Sequence, residues 1–271
     1  MMWEIAYLCL GAFTGVLAGL MGVGGGMIMV PILTTLLQQQ GVDATHSLHL
    51  ALGTSMATIL VTSISSLYAH HRRQGVIWPL VGQLTPGIIV GAFIGTRIAV
   101  SLPARVLTLF FTAMVVFVAI QMLTGTGASA RPRPGRELPG VAGIVLVGTG
   151  IGAVSTLVAI GGGIMTVPFL SWCNVRIQNA IGTSAAVGFP IALGGTLGYV
   201  INGWHVSTLP ANTLGFVYVP AWSWMVLASV FSARIGVALA HRLSARTVKR
   251  IFAVILIAIA VKLLLSSFWT G

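Results

Sequence analysis

Acidic side chains are almost missing from this chain: Glu4, Asp43 and Glu137 are the only three carboxylates in 271 residues. Charged residues of both signs make up 6% of the sequence, against about 25% in an ordinary soluble domain. Such a chain cannot cover a globular surface with polar groups. Hydrophobic residues account for 56%, and the mean hydropathy is +1.01. The chain therefore reads as an integral protein of the lipid bilayer. The shortage of acids also removes the usual members of a carboxylate proton relay. Cysteine is nearly as scarce. Cys9 and Cys173 are both flanked by apolar residues, which implies no disulfide framework and no metal cluster. No nucleophile, base and acid stand in a catalytic pattern, so an enzyme is not expected, and neither is a cofactor. The N-terminus "MMWEIAYLCL" lacks the basic start of a signal peptide.

What is present is basic. The net charge of +11 comes from 14 Lys and Arg, and a basic excess can mark a nucleic-acid binder. Here the basic residues fall in short gaps between apolar runs, the pattern that orients a membrane protein. Nucleic acid is not an expected partner.

A bilayer core of about 30 Å needs roughly 20 apolar residues per helix. Six segments meet that length: 47–69, 77–99, 104–123, 177–201, 214–240 and 247–268. Two further runs, 5–37 and 139–172, are too long for one straight span. Between the halves lies "TGTGASARPRPGRELPG", the most polar stretch, at 124–140. We expect a first membrane repeat at 1–123, a basic cytoplasmic linker at 124–138 and a second repeat at 139–271.

The halves resemble each other. Gly24, Gly25, Gly26 and Pro31 match Gly161, Gly162, Gly163 and Pro168, and "ALGTS" at 51–55 matches "AIGTS" at 180–184. "TRIAV" at 96–100 aligns with "ARIGV" at 233–237, and "LPAR" at 102–105 with "LSAR" at 243–246. Matched blocks in one order make an internal repeat. If each long run crosses once, the basic residues divide almost evenly between the two sides. If each instead doubles back at its glycines, Arg72, Arg73, Arg131, Arg133, Arg136, Arg176, Arg234, Arg242, Arg246, Lys249 and Arg250 share one side. Arg97, Arg105 and Lys262 then face the other. That asymmetry is the one expected of cytoplasmic loops. The expected fold is thus all-α, a polytopic membrane protein of two inverted repeats. Each has one glycine-broken, re-entrant helix pair and three transmembrane helices, and both termini lie outside.

Glycine in a helix interior costs about 1 kcal/mol relative to alanine. "GVGGGMIMVPIL" at 22–33 and "AIGGGIMTVPFL" at 159–170 each spend three in a row, which points to a helix break. The helix restarting after each break has free N–H groups and the positive end of its dipole. That is an anion site, and two such ends at mid-membrane recur in transporters. The prolines are read as kinking the restarted helices. Gly11, Gly15 and Gly19, like Gly87, Gly91 and Gly95, have the four-residue spacing of close helix packing. Valine at Gly25 or Gly162 should therefore abolish transport, and Gly11→Ala should be milder.

The paired "GTS" motifs supply Thr54, Ser55, Thr183 and Ser184 directly after the breaks. Their hydroxyls could donate to an oxyanion, or bond to their own helix one turn back. His46 and His49 stand one helical turn apart and suit a polar cap at the membrane boundary. His49 is also a residue that could couple transport to protons. Cys173 reads as an apolar filler, and Gln38, Gln39 and Gln40 as a solvated loop. Most of the tryptophans lie near predicted span ends, as interfacial anchors.

"GVLAGLMGVGGGMIMVPIL" and "GAVSTLVAIGGGIMTVPFL", each followed by a "GTS" helix, resemble the TauE/SafE family of sulfite exporters. The resemblance covers essentially the whole chain. In the second copy, Ala159 and Ile160 stand where a further glycine is expected. Membership implies a polytopic inner-membrane protein moving sulfite, thiosulfate, organosulfonates or related small anions, often outward. The implied substrate site is Gly24, Gly25, Gly26, Pro31, Thr54 and Ser55, with Gly161, Gly162, Gly163, Pro168, Thr183 and Ser184. A carrier for a carboxylate, a passive anion channel and a non-transporting scaffold are the competing readings, and a homo-oligomer is compatible with all of them.

Overall fold

The apolar run that opens the chain is not one helix: a left-handed Gly25 precedes the helix that starts at Gly26. A computed structural model describes residues 2–21, 25–124, 138–240 and 245–269. Helix α1 spans Met2–Met21 and α2 restarts at Gly26–Gln39. They are followed by α3 (Ala44–Arg72), α4 (Trp78–Ser101) and α5 (Ala104–Thr124). The second half repeats the order with α6 (Val141–Leu157), α7 (Gly163–Trp172), α8 (Ile177–Gly203), α9 (Val219–Ala240) and α10 (Ala245–Trp269). The described residues are predominantly helical, and among them α1, α3, α4, α5 and α8 are long and apolar enough to cross a membrane. It is an all-α, multi-pass membrane protein.

The two breaks are built differently. Gly25 precedes α2 with φ of 65°, a left-handed conformation that glycine adopts without steric cost. At the second break the left-handed residue is Ala159, with φ of 50°. The N–H of Ile160 returns to the carbonyl of Ser155 at 2.9 Å, the six-to-one bond of a helix ended by a left-handed residue. That alanine does the work of the glycine expected there. The restarted helices have 14 and 10 residues, or about 21 and 15 Å at 1.5 Å per residue. Neither crosses a core of about 30 Å.

The expected spans match the helices to within a few residues, with one correction. Residues 214–218 do not begin a helix; β1 (Thr213–Leu214) and β2 (Val217–Tyr218) form a small antiparallel hairpin. Asn212 and Gly215, with φ of 63° and 55°, interrupt any helix before Val219. Gln38 and Gln39 belong to α2, not to a solvated loop. The Gln38 amide donates to Ser47 Oγ at 3.1 Å, and Gln40 donates to the hydroxyl of Tyr7. At the entry to α3, Asp43 accepts from the N–H of Thr45 at 2.7 Å and from its hydroxyl. These bonds hold the Asp43 carboxyl below the usual carboxylate range.

The halves interlock. Helix α1 packs along α9 and α6 packs along α4, so the first helix of each half lies on the fourth helix of the other. Both pairs run parallel and approach to backbone distance. A Cβ placed on Gly11 would sit 2.5 Å from the carbonyl oxygen of Met225, and one on Gly15 would sit 2.6 Å from Ser229 Cα. Gly87 and Gly91 meet the carbonyls of Val145 and Thr149 in the same way, both at 2.0 Å. The four-residue glycine spacing is therefore helix packing. It also corrects one expectation: Gly11→Ala would push α1 off α9 and is no mild change.

At the centre, α3 lies antiparallel to α8. Gly53 faces Tyr199, and Met56 faces Gly195. At one end, Gly75 in the α3–α4 turn contacts Gly182 near the start of α8. At the other end, His46 near the start of α3 bonds Thr208, beyond the end of α8, at 2.9 Å. The turns leaving α2 and α7 are alike: Val42 N–H returns to the Leu37 carbonyl at 3.1 Å, and Val175 N–H to that of Leu170 at 3.0 Å. Because α3 joins the two ends, these matched turns stand at opposite ends of the bundle.

Candidate functional site

The two breaks meet inside the protein. A Cβ on Gly26 would lie 2.1 Å from the carbonyl oxygen of Ala159 and 2.6 Å from Ile59 Cδ1. Ile59 sits midway along α3. Gly25 faces the carbonyl of Thr14, halfway along α1, at 3.0 Å from its would-be Cβ. Gly162 packs against the middle of α8, where its Cβ would be 3.0 Å from the Ser184 carbonyl oxygen and 3.3 Å from the Gly188 nitrogen. Gly25, Gly26, Gly161 and Gly162 are buried. Gly24 lies outside the described residues.

Both restarted helices begin without a side-chain cap. Their first N–H groups have no intrahelical carbonyl to reach and carry the positive end of the helix dipole. Gly163 N–H turns back to the Gly161 carbonyl, and Thr166 N–H reaches that of Gly162 at 3.0 Å. Pro31 and Pro168 lie inside α2 and α7. Each removes the N–H that would have bonded the carbonyl four residues back, here those of Met27 and Ile164.

The "GTS" motifs divide into two jobs. Gly53 lets the hairpin carbonyl of Phe216 approach α3, with 2.2 Å to its would-be Cβ, and Thr54 Oγ1 then accepts the N–H of Tyr218 at 2.9 Å. In the other half, Gly182 lets the Gly75 carbonyl approach α8 at 2.3 Å, and Thr183 Oγ1 accepts the N–H of Ile77 at 3.1 Å. Each Gly-Thr pair thus clasps the chain just before the fourth helix of the opposite half. The serines differ. Ser184 donates to the carbonyl of Ile181 at 2.8 Å, the local bond expected of a helical serine. Ser55 is fully buried, and its hydroxyl has no partner. It stands one turn before Ile59, on the face of α3 that meets the breaks.

Two further hydroxyls share this condition. Ser155, in the last turn of α6, and Thr166, in the first turn of α7, are fully buried and unpartnered. Leaving a buried polar group unpaired costs about 1–3 kcal/mol. Sequence reasoning missed both, because it looked for positions that repeat. Their partners at the same register are Ala18 and Met29. The available signal was the set of hydroxyl residues inside "AVSTLVAIGGGIMTVPFL", Ser155, Thr156 and Thr166, with no copy in the first half.

His49 is no boundary cap. It is 5% exposed, lies against the ring of Phe216 at 5.4 Å, and points both ring nitrogens at carbonyls. Nδ1 is 3.0 Å from the Thr45 oxygen, and Nε2 is 3.0 Å from the Ala99 oxygen on α4. A neutral imidazole has one N–H, so only the protonated ring donates to both. Neither Cys9 nor Cys173 is in a disulfide.

Comparison with known proteins agrees with this architecture. The family profile described as "Sulfite exporter TauE/SafE" matches residues 7–263. A Haemophilus influenzae protein named "probable membrane transporter protein" is 34% identical over 272 residues, covering 97% of this chain and 100% of its own length. A probable membrane transporter protein of Methanocaldococcus jannaschii is 26% identical over 247 residues, covering 88% of this chain and 86% of that one. One from Bacillus subtilis is 28% identical over 197 residues, 70% of this chain and 76% of that one. No solved structure matches the chain.

The clasps lead to a stability prediction. Thr54→Val and Thr183→Val keep the shape but orphan the N–H groups of Tyr218 and Ile77. Each should cost about 1–3 kcal/mol, seen as a lower melting temperature in detergent and restored by serine at the same position. Ser184→Ala should cost less. Unchanged melting in both valine variants would contradict the clasp.

Proposed function

This chain belongs to the TauE/SafE sulfite exporter family and is similar to proteins named probable membrane transporters, and we propose that it is a secondary transporter of small sulfur-containing oxyanions. Sulfite, thiosulfate or an organosulfonate would be held near mid-membrane at the starts of α2 and α7, and exported by alternating access. The observation that carries this reading is the meeting of Gly26 with Ala159. It sets the uncapped start of α2 against the chain that leads into α7, whose own start is also uncapped, and supports a site where neutral N–H donors suit an anion. No Asp or Glu lies in α2 through α10 to repel one.

The inverted arrangement is supported by the antiparallel α3 and α8 and by the matched turns at opposite ends. A doubling-back of α2 is supported by Gly25 beside Thr14 and by the bond from Gln40, past the end of α2, to Tyr7 near the start of α1. With the basic linker in the cytoplasm, Arg72, Arg73 and Arg176 fall on the inner side of a plasma membrane, and both termini fall outside. Arg234 is within α9, toward its C-terminal end.

Proton coupling through His49 rests on its two carbonyl contacts. Protonation completes the bridge from α3 to Ala99 on α4 and so ties those helices together. The titratable group beside it is His46, on its own helix; Arg97, elsewhere on α4, donates to Asn202 at 3.3 Å.

Counterflow in proteoliposomes tests both points. Vesicles loaded with sulfite, thiosulfate or a sulfonate should take up labelled sulfite saturably, while acetate and phosphate should not drive exchange. Exchange should be lost in Gly25→Val and Gly162→Val and kept in Gly150→Ala, whose added methyl meets nothing within 4 Å. Equal exchange with acetate would move the substrate to carboxylates, and flux without saturation would indicate a channel. Wild-type flux in both folded glycine variants would contradict the half-helix site. In His49→Gln the pH dependence of exchange between about pH 5 and 8 should flatten; an unchanged profile removes His49 from coupling.

A further inference from the structure

We propose that the substrate anion is bound asymmetrically, at the second break, by the hydroxyls of Ser55, Ser155 and Thr166. This deepens the transport reading and rests on it. A helix start alone does not make a binding site, and the two starts here are alike in lacking caps. Their surroundings differ. Around the second break, three side-chain hydroxyls are fully buried and have no partner. In a helix, serine and threonine ordinarily bond the carbonyl one turn back, and many of the described hydroxyls here do so. Thr14 beside the first break is one: it donates to the carbonyl of Leu10 at 2.7 Å. Ser55, Ser155 and Thr166 forgo that bond in the most buried part of the protein.

Each is tied to the break by a short path. Ser155 accepts the N–H of Ile160 on its carbonyl, and Thr166 donates its N–H to Gly162. Side chains lean toward the start of their helix, so the Thr166 hydroxyl leans back to the glycines. Ser55 is on the same face of α3 as Ile59, whose Cδ1 meets the Gly26 position, where Ala159 also arrives. Two hydroxyls from the second half and one from the first therefore stand within about a turn of the residues at the contact between the breaks. At the same register, the first break offers Ala18 and Met29, with no hydroxyl. The polar side is the second one.

The chemistry selects the ligand class. Neutral O–H and N–H donors bind an anion without fixing a counter-charge, so binding stays reversible in a low-dielectric interior. Several donors from different directions fit an oxyanion with three acceptor oxygens better than a halide or a planar carboxylate. Ser184, the repeat partner of Ser55, is excluded from the set by its bond to Ile181.

The test compares Ser55→Ala, Ser155→Ala and Thr166→Val with two controls, Thr14→Val and Met29→Leu. Counterflow KM for sulfite and the rise in melting temperature with added sulfite, sulfate or acetate are measured on each. Loss of a hydrogen bond to a charged ligand should raise KM about tenfold or more in the three hydroxyl variants and blunt the anion-dependent rise. Their melting temperature without anion should be unchanged or higher, because an unpartnered buried hydroxyl is removed. The controls should keep wild-type KM. If acetate stabilises the wild type better than sulfite, the sulfur-oxyanion reading falls, and the proposal stands if the three variants still blunt that response. Variants that respond to the stabilising anion as the wild type does overturn it. So does a wild type that no anion stabilises, and so does lower melting without anion with KM unchanged.

Discussion

Every backbone N–H and C=O in a bilayer core must find a partner within the protein, and the rest of this structure follows from where that rule is relaxed. Helices satisfy it automatically. The two glycine breaks do not, so they are kept away from lipid and set against the middles of α1, α3 and α8. Burial of the breaks in turn requires helices that come unusually close. Gly11, Gly15, Gly87 and Gly91 provide that closeness by letting α1 and α4 lie at backbone distance from α9 and α6. The clasps at Gly53–Thr54 and Gly182–Thr183 serve the same end by holding the entries of α9 and α4 against the central helices. Any motion that opened the centre by pulling the sequence halves apart would have to separate α1 from α9 and α4 from α6. Those pairs are built to move together.

Much of this was legible in the sequence. Consecutive glycines cannot be explained by packing, which gains nothing from three in a row, and the structure interrupts the helix at each triplet. Spaced glycines could be assigned to packing for the opposite reason. The six long helices that followed the expected spans were readable because apolar length is set by membrane thickness, and four of them, α3, α4, α5 and α8, are long and apolar enough to cross. The hairpin at 213–218 was not, since its apolar residues continue the run into α9 and only Asn212 and Gly215 mark the turn. The roles inside "GTS" were legible only as a choice between donor and local bond. Which residue does which depends on the opposite half: Thr54 meets Tyr218 and Thr183 meets Ile77, contacts that span more than a hundred residues. His49 looked like a boundary residue because it lies near a helix start, yet the α4 carbonyl of Ala99 covers it.

The repeat helped and also misled. It identified the paired breaks and the paired clasps, because those positions are matched in both halves. It hid Ser155 and Thr166 for the same reason, since Ala18 and Met29 stand in their places. Symmetry in this chain belongs to the scaffold, and the departures from symmetry cluster where the buried polar groups are. That division suits a carrier, whose frame benefits from two equivalent halves while a single small substrate needs only one set of donors. An anion bound there, as proposed, would also fit the lack of acids, since a carboxylate beside neutral donors would compete with it.

The central claim is that the halves are inverted, so that two breaks meet at mid-depth. It is tested most directly by single-cysteine labelling, in a background with Cys9 and Cys173 replaced. Gln39→Cys and Arg176→Cys place exposed thiols at the matched turns after α2 and α7. Inversion predicts that a membrane-impermeant thiol reagent applied to intact cells labels the first and not the second, with the pattern reversed in inside-out vesicles. Labelling of both positions from the same side would mean that each broken segment crosses the membrane, and would contradict the account.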